Sequence, residues 1–239
     1  MDKVKDSFIL DQSKKTSNID SIIQGERYRF TVLTERLIRL EYNANSKFTD
    51  NLTASIRNRN FVKPEFNIID SSTTLEIKTK YFHIVYEKEA PLVGPKSNPS
   101  MYFYAKINNT DEVWYPNKKD TENIKGNYRS LNDNQNGETL FSRSKYAVVD
   151  ESLSPIITEN GYFTFTDNKT DIYLFVYNND FSLALQDYLA LTGKASLIPK
   201  YAFGNILLDN RKVNSDSVIK TIEEFKNKDI YLSSYILGD

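Results

Sequence analysis

Asp171-Ile-Tyr-Leu-Phe-Val-Tyr177, followed by Asn178-Asn-Asp-Phe-Ser-Leu-Ala-Leu-Gln-Asp-Tyr-Leu-Ala-Leu-Thr-Gly193, is the stretch where this sequence changes period. The first seven residues are nearly all apolar, as a central strand covered on both faces requires. After Asn178, Phe181, Ala184, Leu185, Tyr188 and Leu189 recur at helical spacing, with Asp180 at the N-cap position and Gly193 as the stop. Strand periodicity ends here and helix periodicity begins.

Upstream, residues 27–178 are rich in Thr, Tyr, Phe, Ile and Val, in short runs broken by Asn, Asp, Gly and Pro. That texture predicts an antiparallel sandwich. In 74–80, Leu75, Ile77 and Thr79 alternate with Thr74, Glu76, Lys78 and Lys80, and Phe82, Ile84 and Tyr86 continue the pattern. Asn160-Gly161 signals a turn, and 162–166 reads as an alternating strand after it. The polar segments 117–127 and 132–138 read as long surface loops, the kind that carry function.

Downstream, 194–200 is a connector containing Pro199, and 201–208 is an apolar strand. Val218, Ile219, Ile222 and Phe225 lie on one face of a helix over 215–228, and 231–237 is a second buried strand. A strand, helix and strand of these lengths form a βαβ unit with parallel strands. One such unit cannot close a sheet, so it opens a larger α/β domain such as a barrel. The expected fold is mainly β: an antiparallel β-sandwich followed by the first βαβ unit of a truncated (β/α)8 barrel. The expected divisions are an N-terminal extension at 1–26, the sandwich at 27–178, a helical linker at 179–200 and the barrel start at 201–239.

Composition narrows the function. The chain has 239 residues, 39% hydrophobic and 26% charged, which suits a globular protein. A net charge of -1 offers no bulk attraction to nucleic acid or an anionic membrane. The pairs Lys14-Lys15 and Lys118-Lys119 read as solvated loop residues. With no cysteine there is no disulfide, thiolate metal site or cysteine nucleophile. The first fifteen residues lack the apolar core of a secretion signal, so the expected location is cytoplasmic. The Asn-x-Thr triplets at Asn51, Asn108 and Asn168 are then chance matches.

In a β/α barrel the working residues stand where strands end. Asp209 ends the first barrel-type strand and Asp239 the second. Two carboxylates there suit gripping sugar hydroxyls or stabilising an oxocarbenium ion; ordinary turn residues are the competing reading. His83, the only histidine, falls mid-strand among aromatics, which points to a packed or half-exposed residue. With no second histidine and no cysteine, a zinc site of the usual ligands is not expected. Trp114, Tyr115, Tyr102 and Tyr104 cluster, mostly as core, though sugars stack on such rings.

Several segments, in order, resemble glycoside hydrolase family 31, the α-glucosidase and α-xylosidase family. Arg29-Phe-Thr-Val-Leu-Thr-Glu-Arg-Leu-Ile-Arg-Leu-Glu-Tyr42 is similar to the opening strands of its N-terminal domain, and Phe48-Thr-Asp50 and Asn58-Arg-Asn-Phe61 to its next landmarks. Asn123-Ile-Lys-Gly126 with Arg129-Ser-Leu131, then Phe141-Ser-Arg143 and residues 146–152, resemble a loop and the segment after it in one bacterial branch. Residues 171–177, Tyr188, Thr192-Gly193 and Leu197-Ile-Pro-Lys-Tyr201 resemble the passage from sandwich to barrel.

The resemblance implies a galactose mutarotase-like sandwich on a catalytic barrel, with retaining hydrolysis of α-linked carbohydrate and no metal or cofactor. It implies that nucleophile and acid/base are aspartates beyond Asp239, so this chain holds no catalytic residue. It also implies substrate contacts from Arg129, Asn132 and Asp133 in the sandwich loop, and from Asp209 and Asp239. Two departures stand out: the branch has aspartate where Asn132 stands, and the strand end Gly204-Asn-Ile-Leu-Leu-Asp209 lacks the family's tryptophan pair and arginine. A non-catalytic carbohydrate-binding or regulatory relative is therefore the alternative. A mutarotase or epimerase ranks last, since those enzymes employ paired histidines. Apolar strands at 201–208 and 231–237 would also favour self-association.

Overall fold

The computed structural model describes residues 11–93, 102–125, 137–165, 169–194 and 197–238, and the chain divides into two units at residues 194 and 195. In the first unit the strands are β1 (Ile22–Gln24), β2 (Tyr28–Val32), β3 (Leu37–Asn43), β4 (Asn67–Asp70), β5 (Thr74–Lys78), β6 (Phe82–Glu87), β7 (Phe103–Ile107), β8 (Val113–Trp114), β9 (Tyr146–Asp150), β10 (Ile156–Ile157), β11 (Phe163–Thr164) and β12 (Lys169–Val176). Helix α1 (Phe181–Thr192) follows. One sheet has the order β1-β2-β3-β12-β9 and the other β4-β5-β6-β7-β8, with every neighbouring pair antiparallel. The mainly β sandwich read from the sequence is present, and β1 extends it upstream of residue 27.

Alternation decides which side chains meet. Phe30, Leu40, Leu174 and Val176 of the first sheet pack on Leu75, Ile77, Phe82, Ile84, Phe103 and Trp114 of the second. The opposite residues of the first sheet are buried too. Leu37, Tyr173, Phe175 and Ala147 lie under Ile56 and under Ala184 and Leu191 of α1. Cover on both faces explains why β12 reads as a continuous apolar run.

Two expectations about α1 need correction. Its buried face is Ala184, Asp187 and Leu191, while Leu185 and Leu189 are exposed. Asp187 explains the shift: it accepts hydrogen bonds from Arg36 at 2.8 and 3.1 Å, so a polar anchor turns the helix. Asp180 makes no side-chain cap; its Oδ2 accepts the Tyr81 hydroxyl at 2.8 Å instead. Gly193 does end the helix, with φ of 89°.

The other end of that outer face is charged. Arg39 meets Asp171 through two bonds of 2.8 and 2.7 Å, and Arg29 meets Glu41 through two of 2.7 and 2.8 Å. Arg59 donates to the Tyr173 hydroxyl at 2.6 Å and to the Asp50 and Asn51 carbonyls. Burial alone would raise the Asp171 carboxyl; the Arg39 charge overcomes it and holds the group down at about 2.

Of the segment 162–166, the described residues 162–165 form no sandwich strand. After the turn at Gly161 (φ 82°), only Phe163 and Thr164 pair, with β10, in a separate two-stranded ribbon. Tyr162, Phe163 and Phe165 stay exposed because no second sheet covers them. His83 lies mid-strand and half-exposed, its Nε2 2.8 Å from Glu76 Oε2, and Trp114 is buried in the core. Lys118 is not a freely solvated residue: its Nζ donates to Val113 O at 2.6 Å and Glu112 Oε2 at 3.0 Å.

The second unit holds β13 (Asn205–Asp209), α2 (Ser215–Asn227) and β14 (Leu232–Leu237). β13 and β14 are parallel, pairing Leu207 with Tyr235 and Asp209 with Leu237, so the βαβ expectation holds. The first strand starts later than residue 201, because Lys200–Phe203 form a 3-10 turn after Pro199. At Gly204 a Cβ would stand 1.5 Å from Ser233 Oγ, so the close approach of the two strands requires glycine there. Asn214 and Ser217 form a reciprocal capping box that starts α2. No helix among the described residues is long and apolar enough to cross a membrane.

Candidate functional site: a groove on the edge of the sandwich

Two loop arms, joined by 126–136, come together in the first unit. Asn123 and Ser142 form a bridge, and Ile124 N donates to Phe141 O at 3.1 Å. The Asn123 amide ties the arms further: Oδ1 accepts Thr139 N at 2.9 Å, and Nδ2 donates to Thr139 O at 2.9 Å. Asp120 accepts the Ser144 hydroxyl at 2.9 Å and the Glu122 amide at 3.1 Å. These bonds make the arms a fixed wall beside β9, an edge strand of the first sheet.

Between the arms, β9 and α1 lies a groove of about 530 Å³. Lys118, Asp120, Asn123, Glu138 and Thr139 supply polar groups, and Phe141, Val148, Leu185 and Tyr188 supply apolar surface. Phe141 is held edge-to-face on Phe181, with ring centroids 5.6 Å apart. Tyr146 also lines the groove; it is 1% exposed, and among the described residues its hydroxyl has no hydrogen-bond partner. Burial, reinforced by Asp120 and Glu112, pushes that phenol well above its usual range, so it remains a proton donor. Ammonium, amide and carboxylate groups beside aromatic rings in one concave surface match a polyhydroxylated ligand.

In the second unit, Asp209 stands at the C-terminal end of β13, the position expected of it. Its carboxylate is engaged by its own unit. Arg211 Nε and Nη2 donate to it at 2.8 and 2.7 Å, and the Tyr235 hydroxyl donates to Oδ2. The Arg211 hydrogen bonds, with that of Tyr235, hold the Asp209 carboxyl far below the usual carboxylate range. Arg211 is mostly exposed, so it is the partner a ligand would displace.

Of the residues singled out from sequence, Arg129, Asn132, Asp133 and Asp239 lie outside the described residues. The loops flanking 126–136 were legible as functional candidates, but Asp120, Glu138, Tyr146 and Tyr188 were not individually. Tyr146 carried a signal, an aromatic opening a strand that ends the bacterial-type segment; the orphan hydroxyl appears only in three dimensions. Among the described residues, no cluster of three or more acidic, histidine or cysteine side chains could hold a metal ion.

No protein-family model matches this sequence, and no curated protein matches it. Solved structures do. An α-xylosidase of glycoside hydrolase family 31 from a soil metagenome, solved with xylose, matches 87% of this chain at 10% identity with a TM-score of 0.52. The likeness is one of fold. A family 31 dextranase from Flavobacterium johnsoniae, solved with glucose, matches 89% of the chain at 15% identity and a TM-score of 0.49. A family 31 α-xylosidase from Xanthomonas citri matches 93% at 10% identity and a TM-score of 0.46. The chain spans 38%, 31% and 45% of those three enzymes' lengths, respectively.

Proposed function

We propose that this chain is part of a carbohydrate-active protein of the family 31 type, acting on α-linked sugars by a retaining mechanism in the whole enzyme. The observation that carries the reading is the order of parts: a two-sheet sandwich, a helix packed on it, then a parallel strand-helix-strand unit. The ordered motif resemblance supports it, and so does the fold likeness to an α-xylosidase. In this reading the groove beside β9 accepts a sugar unit. Asp120 and Glu138 accept hydroxyl protons, and Tyr188 offers a ring face. Independently of that groove, Asp209 and Asp239 of the second unit and the loop residues Arg129, Asn132 and Asp133 are proposed to contact substrate in the whole protein, and no cofactor takes part. We place the protein in the cytoplasm, where its apolar barrel-type strands favour self-association.

Retaining hydrolysis needs two carboxylates about 5 Å apart across the bond. We assign both to aspartates beyond Asp239, so the 239-residue chain is expected to release no nitrophenol from nitrophenyl α-glucoside or α-xyloside. Turnover by the pure chain would overturn that assignment. Sugar binding is tested separately, by calorimetric titration with glucose and xylose. The exposed carboxylate of Glu138 makes Glu138→Gln a mild change, expected to weaken binding about tenfold through loss of one charge-assisted hydrogen bond. Equal affinity in this variant would remove the groove from the proposal.

The alternative, a non-catalytic sugar-binding relative, draws on a specific observation. Asp209 spends both carboxylate oxygens on Arg211 and Tyr235, at a strand end that lacks the family's tryptophans. Coding sequence after Asp239 with two further strand-end aspartates would favour the enzyme; its absence would favour the alternative.

A further inference from the structure

The groove beside β9 has spent most of its hydrogen-bond donors. Lys118 Nζ donates to Glu112 Oε2 at 3.0 Å and to Val113 O at 2.6 Å, and it stands 5.7 Å from the centre of the Tyr146 ring. Both protons of the Asn123 amide are taken, by Thr139 O at 2.9 Å and by Asp120 Oδ2 at 3.3 Å. The Thr139 hydroxyl donates to Phe141 O at 3.1 Å. With Tyr146 buried, the Tyr188 hydroxyl is the side-chain donor left to the lining among the described residues.

Acceptors and negative charge are left over. Among the described residues, exposed Glu138 makes no ion pair, and Asp120 meets hydroxyl, backbone and amide donors but no cation. Lys118, the one cation of the lining, is matched by Glu112. Residues 126–136, which join the two arms, carry one arginine and one aspartate and so bring no net charge. The buried Tyr146 phenol registers this field: burial raises it most, and Asp120, Glu112 and Glu138 raise it further. Unmatched carboxylates beside the rings of Phe141 and Tyr188 are the surroundings that recognise an ammonium group.

We propose that the groove takes an amino sugar, a hexosamine whose ammonium group is met by Glu138 and Asp120 while a ring face rests on Tyr188. This inference rests on the sugar reading of the groove and names its ligand class. Neutral sugars offer hydroxyl donors to the same carboxylates, but without the attraction between opposite charges.

The test is calorimetric titration of the full chain with glucosamine, glucose, N-acetylglucosamine and butylamine. Low ionic strength and about pH 6 keep the amines protonated and the carboxylates ionised. Glucosamine should bind about tenfold more tightly than glucose, and N-acetylglucosamine, which lacks the charge, no more tightly than glucose. Added salt should shrink the preference. Glu138→Gln should cost glucosamine more than glucose, cutting the preference to about threefold. If glucose binds and glucosamine binds no better, this inference falls and the sugar reading stands. If no sugar binds, both fall. Butylamine binding as tightly as glucosamine would make the ligand an alkylammonium group and overturn the amino sugar. A full preference retained in Glu138→Gln would place the amine elsewhere and overturn the proposal too. Should that variant not be recovered, the wild-type ratio of glucosamine to glucose affinity decides.

Discussion

Replacing Asp171 by alanine is expected to cost about 3–5 kcal/mol of unfolding free energy, a large share of the roughly 5–15 kcal/mol that holds a domain together. Asp171 is 1% exposed and receives Arg39 through two short bonds. Without it, Arg39 keeps Glu41, the Thr49 carbonyl and the Tyr173 ring, and Lys169 loses the carboxylate 3.6 Å away. The cost is that of stranding positive charge in a buried layer. Urea unfolding followed by Trp114 fluorescence measures it directly, since this is the only tryptophan and sits in the sandwich core. The double variant Arg39→Met with Asp171→Leu should recover much of the loss, because removing both charges removes the desolvation penalty. A single-variant loss below about 1 kcal/mol would mean the pair is solvated in solution.

The same pair sets an acid limb. A carboxylate held below its unfolded value stabilises the fold at neutral pH, and that contribution fades as pH falls from about 3.8 towards about 2. Glu41 is displaced upward, by burial that Arg39 and Arg29 only partly offset, so its protonation works against part of the loss. Wild type should therefore lose stability across this window. Asp171→Asn should show a flatter acid limb while starting from a lower value.

How much of this was legible depends on what the side chains signal. β5 and β6 were readable because Leu75, Ile77, Phe82, Ile84 and Tyr86 fall on alternate positions of their strands, and all five are fully buried. β12 was readable as central because seven near-apolar residues in a row need cover on both sides. The charged layer was not readable. Arg29, Arg39, Glu41 and Asp171 sit at positions where alternation predicts solvent, and only pairing between distant segments makes those positions interior. The buried face of α1 was misread for the same reason: Asp187 looks like a solvent residue until Arg36 is placed beside it. The groove lies between these cases. Its loops announced themselves by length and polarity, but the meeting of Phe141 and Tyr188 on its walls appears only in three dimensions.

The second large effect concerns the layer between the two sheets. Phe30→Ala is expected to destabilise the sandwich by about 3–5 kcal/mol, from lost burial and from the cavity left behind. Phe30 is fully buried, and its ring lies 4.9 Å from Tyr86, 5.2 Å from Tyr28 and 5.9 Å from Phe103. Tyr86 and Phe103 belong to the opposite sheet, so the missing ring opens a gap that both sheets border. Collapse into the gap is hindered because Tyr86 is tethered through its hydroxyl to Ala90 O at 2.6 Å. The control is Ile69→Ala on β4, where the side chain is 51% exposed and the change should stay within about 0.5 kcal/mol. If the two substitutions cost the same, the face of the first sheet assigned to the core is wrong, and with it the sandwich register that places β9 and the groove. A large difference, with Phe30→Leu falling between them, is what two sheets packed through an aromatic layer require, because leucine refills only part of the ring's volume.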